Sequence, residues 1–465
     1  MYNEGTIIAL SSPPGSGAIS IIRLSGKDSI SITDKFFESK SGKKLKDCNG
    51  YSISYGNFLA GKEVLDEVVI SIYKKPHSYT GEDVIEISCH GSNYIQQEII
   101  SSFTSSGVRL ASPGEFTLRA YLNNKKDLSQ AEAVSDLIAS ESKEAHRVAM
   151  HQMRGGYSNE IEELREKLID FKSLIELELD FSEEDVEFAD RKDLKDLLNT
   201  LESKLSSLIE SFTYGNVIKE GVTVTIAGKP NAGKSSLLNA LVNEDKAIVS
   251  DIPGTTRDAI EDVTVIDGIK FRFIDTAGIR ETSDKIESIG VERAKGKIGK
   301  SKVLIYLFDR SDSSENELIN EVESYQRDDL NIFIVENKID LLNNLKTDSY
   351  KDNINQLIKS KNIEFLQISA LNQTNIEDLK NAISKDLNLS SENSIVITNS
   401  RHLEALKNSL NAIESVKKGL KEGISGDLLS IDLNDAIINI SIITGKIDID
   451  QDILGSIFSK FCIGK

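Results

Sequence analysis

The chain has too little cysteine to be built on disulfides. Its 465 residues include only Cys48, Cys89 and Cys462, too few and too scattered for a disulfide framework or a zinc knuckle. A reducing compartment fits. No run of eighteen or more apolar residues occurs, so no membrane-spanning helix and no membrane partner are expected. The first five residues carry no basic segment, and the apolar run at 6–10 is too short for a secretory signal. A cytoplasmic protein is the expectation. Positive charge is also scarce: 55 Lys and Arg stand against 74 Asp and Glu, a net charge of −19. That argues against broad attraction to nucleic acid, although a local basic patch is still compatible with it. The five histidines, His77, His90, His146, His151 and His402, show no metal-ligand spacing.

What is present reads as four segments. Apolar and charged contents of 39% and 28% are ordinary for a globular protein, and the length suggests about two to four domains. Residues 1–120 are rich in Ile, Val and Ser with Gly and Pro punctuation, which predicts a small α+β domain. Within it, Ile85, Ile87 and Cys89 fall on one side of a strand, with Glu86, Ser88 and His90 on the other. Residues 121–215 are helical. Ser112-Pro113-Gly114-Glu115 reads as a capping box with Pro at the first helical position, and Ser129 with Glu132 as a second. Ile161, Leu164, Leu168, Phe171 and Ile175 form one apolar stripe, and Leu194, Leu198, Leu201, Leu205 and Leu208 another; the acidic link Glu183-Glu184-Asp185 separates them. Residues 216–382 alternate short β-branched runs (Val222–Ala227, 271–274, Val303–Phe308, 332–335, 365–368) with helical stretches, which predicts a mostly parallel sheet wrapped by helices. Residues 383–465 return to helix, with a stripe of Leu403, Leu406, Leu410 and Ile413. This last piece is too short to stand alone. It is expected to complete the bundle begun at 121–215, so that the α/β unit is an insertion.

The inserted segment carries a nucleotide site. Residues 228–235, GKPNAGKS, fit G-x-x-x-x-G-K-S between a strand and a helix. Gly228, Asn231, Ala232, Gly233, Lys234, Ser235 and Ser236 are the expected phosphate cradle: backbone N–H groups curl around phosphate, Lys234 reaches the β- and γ-phosphates, and Ser235 ligates Mg²⁺. Asp275-Thr276-Ala277-Gly278 follows the 271–274 run, where Asp275 approaches the metal indirectly. Asn337-Lys338-Ile339-Asp340 follows another buried run. A carboxylate there accepts from the N1–H and amino group of guanine, and adenine would leave it unpaired. Ser369, Ala370 and Leu371 after the last strand fit backbone contact to the base. GTP rather than ATP is therefore the expected substrate. In 254–258, GTTRD, Thr256 is assigned to Mg²⁺ when the γ-phosphate is present. In Ras-like GTPases a Gln after the DTAG-type motif orients the attacking water. Ile279 occupies that position here and cannot. No arginine finger is identifiable, Arg257 and Arg280 being the conceivable ones.

Together with the terminal Phe461-Cys462-Ile463-Gly464-Lys465, these motifs resemble the MnmE/TrmE family of tRNA-modification GTPases. Thr80-Gly81-Glu82-Asp83, Pro113-Gly114-Glu115-Phe116, Leu128-Ser129-Gln130-Ala131-Glu132 and Asn399-Ser400-Arg401-His402 match its pattern, so the resemblance spans the chain. It implies an N-terminal α+β folate-binding domain, a discontinuous helical bundle and an inserted Ras-like G domain. It further implies a homodimer working with a flavin-dependent MnmG (GidA)-type partner on C5 of the wobble uridine of certain tRNAs. The carbon would come from a 5-formyl- or methylene-type tetrahydrofolate. By the same resemblance K⁺ is held by Asn231, Ser250, Ile252 and Thr255 within the nucleotide loop Ser250, Asp251, Ile252, Pro253, Gly254, Thr255 and Thr256. Glu287 takes over the orientation of water from the missing Gln, so the implied catalytic set is Glu287, Lys234 and Thr256. The folate site is carried onto Arg23, Glu82, Lys125 and Lys465, with Lys126 competing with Lys125. Cys462 has prenylation spacing with an unsuitable last residue; it is either a buried inert thiol or a thiol with a role in modification. A regulatory GTPase of ribosome assembly is the alternative, but it calls for a basic RNA-binding domain after the G domain. A dynamin-like GTPase calls for a lipid-binding segment. Neither feature is visible.

Overall fold

The computed structural model describes residues 5–180, 191–242, 262–274, 298–299, 301–310, 315–341, 354, 362–385, 395–446 and 464. Ser250–Thr256, Asp275–Gly278, Glu287, Cys462 and Lys465, together with the acidic link 183–185, Arg257 and Arg280, lie outside the described residues. The chain divides into two compact units. One holds 1–139, 149–206 and 401–465; the other holds 140–148 and 207–400.

The first unit is built on a seven-stranded mixed sheet. Its strands are β1 (Ile7–Leu10), β2 (Gly17–Ser25), β3 (Phe37–Ser39), β4 (Ser52–Ala60), β5 (Glu63–Tyr73), β6 (Val84–Gly91) and β7 (Arg109–Leu110), in the order β3-β4-β5-β6-β2-β1-β7. All neighbours are antiparallel except β1 and β7. Ile85, Ile87 and Cys89 are buried as their alternation requires, and helices α1 (Ser29–Phe36) and α2 (Asn93–Thr104) close the core around Phe37, Phe58, Ile99 and Phe103.

The helices that follow are α3 (Glu115–Leu122), α4 (Leu128–Ile138), α5 (Lys143–Met153), α6 (Gly156–Asp180) and α7 (Arg191–Glu220). The α6 stripe Ile161, Leu164, Leu168, Phe171 and Ile175 is buried throughout, as are Leu198, Leu201, Leu205 and Leu208 of α7. Both predicted capping boxes are corrected. At α3 the cap is Gly114 in a left-handed conformation (φ 69°), and Pro113 lies before the helix. Only the return half of that box forms, Ser112 N–H donating to Glu115 Oε2 at 2.9 Å, because Glu115 is also drawn into pairs with Arg109 and Arg119. At α4 the box belongs to Asp127 and Gln130. Ser129 and Glu132, two residues further on, face inward to other partners.

The second unit is a six-stranded sheet of β8 (Val222–Ala227), β9 (Asp262–Ile266), β10 (Ile269–Phe273), β11 (Val303–Phe308), β12 (Asn331–Glu336) and β13 (Ile363–Gln367), ordered β13-β12-β11-β8-β10-β9. Five strands run parallel; β9 joins as an antiparallel hairpin partner of β10. The sequence reading found the five and missed β9. β11 shows why the sheet is central: Val303, Ile305 and Leu307 enter one core with α8 (Lys234–Val242), while Leu304, Tyr306 and Phe308 enter the opposite one with α9 (Glu315–Glu323). A strand covered on both faces has no reason to alternate, hence the unbroken run VLIYLF. Helix α10 (Ile376–Lys385) adds Ile376, Leu379 and Ile383 to the first of these cores.

The last helices, α11 (Ser400–Glu422) and α12 (Gly426–Thr444), belong to the first unit from residue 401 onward. There α12 packs on α6 and α4, with Arg165 Nε on Ser441 Oγ (3.0 Å) and Lys446 on Glu162 (2.7 Å). The buried line of α11 runs through His402, Ala405, Leu406, Ser409, Ile413 and Val416, with Leu403 and Leu410 half-buried beside it.

Candidate functional site

In an open α/β sheet ligands gather beyond the carboxyl ends of the strands, where the chain leaves neighbouring strands in opposite directions. Here that place lies between β8 and β11, which are adjacent in the sheet. The chain leaving β8 turns at once. Gly228 has φ 141°, and a Cβ there would sit 1.9 Å from Leu307 O. Asn231 and Gly233 also have positive φ, at 62° and 96°. The turn feeds α8 with Lys234 as its first residue. Lys234 Nζ donates to Gly228 O and Lys229 O, both at 2.8 Å, and burial lowers its pKa. A partly desolvated ammonium resting on loop carbonyls, at a helix N-terminus, suits a phosphate.

Two more loops meet this one. Asn337, buried just past β12, donates through Nδ2 to Ala232 O (2.8 Å) and accepts on Oδ1 from Ala370 N–H (2.9 Å). One side chain therefore pins the phosphate loop to the loop after β13. Ser369 Oγ donates to Asp340 Oδ1 at 2.5 Å and accepts from Asn372 N–H, which fixes the exposed Asp340 carboxylate. Leu371 is 81% exposed beside it. So Gly228, Asn231, Ala232, Gly233, Asn337, Lys338, Asp340 and 369–371 are carried by three loops at one end of the sheet, with Lys234, Ser235 and Ser236 on the first turn of α8. Gly233→Ala tests the pin. Its Cβ would meet Asn337 Nδ2 at 2.3 Å on a backbone that disfavours side chains, so affinity for a fluorescent guanosine diphosphate is expected to fall at least about tenfold.

Sequence reading missed the supports of these loops. The two residues after β11 grip the two that flank Asn337. Asp309 pairs with Lys338 Nζ at 3.0 Å, and Arg310 makes two bonds, at 2.6 and 2.9 Å, to the fully buried Glu336. Gln367 Nε2 adds a third bond to Glu336 at 2.8 Å. The available signal was a lone Glu ending a buried apolar run, which demands a cation somewhere.

A second polar site lies in the first unit. Arg23 on β2 faces Glu86 on β6, its cross-strand partner, at 2.7 Å. Its guanidinium lies 5.5 and 5.6 Å from the ring centres of Tyr79 and Phe116, and NH1 donates to Gly464 O (3.2 Å). Ser11 Oγ donates to the same carbonyl, so the penultimate residue is tied beside Arg23. Glu82 Oε2 accepts from Ser25 Oγ (2.7 Å) and from Arg119 NH1 (2.8 Å). Arg119 is fully buried, and its pair with Glu115 was not foreseen, although Glu at i−4 hints at it. Lys125 lies against Gly81, where an added Cβ would meet its Cγ at 3.2 Å, while Lys126 Nζ sits 6.0 Å over the Tyr79 ring and is lowered by burial. Both lysines thus border the Arg23–Glu82 region. Among the described residues no group of three or more His, Cys, Asp or Glu is set to hold a metal, and no helix is long and apolar enough to cross a membrane.

The GTP-binding protein TrmE N-terminus family matches residues 6–125, and the MnmE helical domain family matches 128–462. Curated proteins named tRNA modification GTPase MnmE align end to end. That of Flavobacterium johnsoniae is 50% identical and that of Bacteroides thetaiotaomicron 49%, each over the whole of both chains. That of Cytophaga hutchinsonii is 48% identical over 99% of this chain and 98% of its own. Half-identity along the full length, with both family models matched in order, means that the chain belongs to the MnmE family of tRNA modification GTPases.

Proposed function

We propose that the chain is a cytoplasmic, potassium-activated GTP hydrolase that modifies tRNA. In this reading it works as a homodimer with a flavin-dependent MnmG-type partner, on C5 of the wobble uridine of certain tRNAs, with a one-carbon unit from a tetrahydrofolate. The observation that carries the reading is Asn337 pinning the phosphate loop to the 369–371 loop, with Asp340 held ready beside them. Lys234 leaves its carbonyls for the β- and γ-phosphates. Asn337 and Asp340 select guanine, with Lys338 and Leu371 beside the base. Ser235 and Thr256 would ligate Mg²⁺, Asp275 would support it at second hand, and Glu287 would orient the attacking water. Asn231, Ser250, Ile252 and Thr255 would hold K⁺. Bound Mg²⁺ and K⁺ would supply the positive charge that an arginine finger supplies elsewhere.

The Arg23–Glu82 region suits a folate. Both bonds to Glu82 fall on Oε2, so Oε1 is left to accept from a pterin edge, while Arg23 and Lys125 present cations to carboxylate or carbonyl groups. A bound folate would supply the one-carbon unit. Lys465 and Cys462 follow from the resemblance alone, although Gly464 between them is bonded to Arg23. Two measurements test the reading. GTP hydrolysis should run at least about tenfold faster in KCl than in NaCl, the scale of a lost charge-stabilising contact. Calorimetric titration with 5-formyltetrahydrofolate should show binding that Arg23→Ala abolishes. No heat from the native chain would remove the folate chemistry and favour a regulatory GTPase of ribosome assembly.

A further inference from the structure

A fully buried carboxylate ends β12. The strand reads NIFIVE, every residue after the first is buried, and the last is Glu336. Register sets this residue in a row. Phe308 of β11, Glu336 of β12 and Gln367 of β13 each end their strand and are direct neighbours across the parallel ladder. Residues paired in this way point to one face of a sheet. Phe308 enters the core with α9, where its ring centre lies 6.4 Å from that of Phe365, so Glu336 points to that face too. The phosphate loop belongs to the other face: Ala232 lies in the core of α8, Phe333 and Val335.

Three bonds fill the carboxylate. Arg310 Nε donates to Oε1 (2.6 Å), Arg310 NH2 to Oε2 (2.9 Å) and Gln367 Nε2 to Oε2 (2.8 Å). One side chain thus ties together the ends of three strands. The main chain carries that tie onward. Asn337 N–H donates to Phe308 O (2.9 Å), Ile368 N–H to Glu336 O (2.8 Å) and Ile339 N–H to Ile368 O (3.3 Å). Asn337 and Asp340 follow Glu336, and Ser369 and Ala370 follow Gln367, so the tie sets where both base-side loops start. Stability alone does not account for it. An apolar residue at 336 would simply continue the buried strand, and replacing a buried ion pair by apolar side chains of similar volume is often neutral or stabilising. What apolar side chains lack is direction. A guanidinium fork and an amide hold a carboxylate at a set distance and angle.

We infer that Arg310, Glu336 and Gln367 are positioning residues for guanine recognition. They act from the sheet face opposite the phosphate loop and fix the spacing between the loops after β12 and β13. That spacing decides whether Asp340 meets the N1–H and C2 amino group of the base squarely, and a misplacement of about 1 Å can cost on the order of a hundredfold. The inference rests on the reading above in which Asp340 selects guanine, and adds what holds Asp340 in place.

The test compares the full-length native chain with the double variant Arg310→Met, Glu336→Met, with Arg310→Lys and with Gln367→Met. Displacement of a fluorescent guanosine diphosphate gives the affinities for GDP and for inosine diphosphate, which lacks only the C2 amino group. The ratio of the two reads the alignment of Asp340 with the base, and a merely structural role would not move it. The native chain should prefer GDP at least about tenfold, the scale of one charge-assisted bond. The double variant should melt within about 3 °C of the native chain, because the pair is replaced by apolar volume, while its preference for GDP falls at least about fivefold. Arg310→Lys keeps the charge without the fork, and its preference should fall between the two. A double variant with the native preference overturns the inference, and so does a loss of affinity shared equally by both nucleotides. If the double variant does not fold, Gln367→Met decides. It removes one bond, leaves the ion pair and should lower the preference at least about twofold; an unchanged ratio there overturns the inference. No preference in the native chain overturns the guanine reading and the inference with it.

Discussion

Asp340→Asn is expected to lower GTP affinity by about three orders of magnitude and to confer affinity for xanthosine triphosphate. The carboxylate is exposed, and one of its oxygens is fixed by Ser369 Oγ. In the proposed reading the N1–H and the C2 amino group of guanine would both donate toward it, each charge-assisted bond contributing roughly 1.5–3 kcal/mol. Asparagine keeps an oxygen for Ser369 but offers an amide N–H₂ where an acceptor is needed, so a donor faces a donor. Xanthine carries a carbonyl at C2, which that amide can satisfy. The loop itself should survive, because Asn337 and not Asp340 joins it to Ala232 and Ala370. Competition against a fluorescent guanosine diphosphate measures both affinities. A loss of less than tenfold for GTP, without gain for the xanthine nucleotide, would show that Asp340 does not read the base.

Arg401→Ala should be the most destabilising single change in the helical region, at about 3–5 kcal/mol. Arg401 holds Glu132 with two bonds (3.0 and 2.8 Å) and donates to the carbonyls of Ile442 and Ile443, joining α4, α11 and the end of α12. His402, also buried, gives Glu132 Oε2 a further bond at 2.7 Å and stacks on Tyr157. Removing the guanidinium leaves a carboxylate sealed from water without its cation. Burial by itself would raise the Glu132 pKa, but His402 and Arg401 outweigh it and hold the carboxyl at about 2, against 4.5 for a free one. A depressed carboxyl stabilises the fold above its unfolded value and loses that contribution as pH falls toward the folded one. The native chain should therefore lose about 3 kcal/mol from this group between roughly pH 5 and pH 2, and none of it between pH 6 and 9. Burial lowers the His402 pKa, and the neighbouring Glu132 carboxylate opposes that shift. Chemical denaturation of native and variant chains at several pH values measures both effects. A variant that unfolds with the native midpoint would show that the cluster is dispensable.

The same residues show how far a sequence can be read. The motifs ending in Glu132 and beginning at Asn399 stood out as matches to a family pattern, yet nothing in their spacing said that they touch. Glu132 was taken for a helix cap, because a Ser three residues before a Glu has that local signature. The true cap, Asp127 with Gln130, lies two residues earlier, and Glu132 turns to a partner some 270 residues away. β9 escaped notice because a five-residue strand at a sheet edge carries little apolar signal. The central strands β11 and β12 were legible because burial on both faces makes them continuous.

By itself the sequence determined the nucleotide loops, their order, the parallel sheet behind them and the stripes of the long helices. These depend on local chemistry: glycine where φ is positive, apolar side chains at the period of each element, and polar groups at the ends of strands. Only the tertiary structure decided which ions answer the buried charges: Arg310 for Glu336, Arg119 for Glu115 and Glu82, Arg401 for Glu132. A charge acts through space and a hydrophobic period acts along the chain, so only the second can be read before the chain is folded.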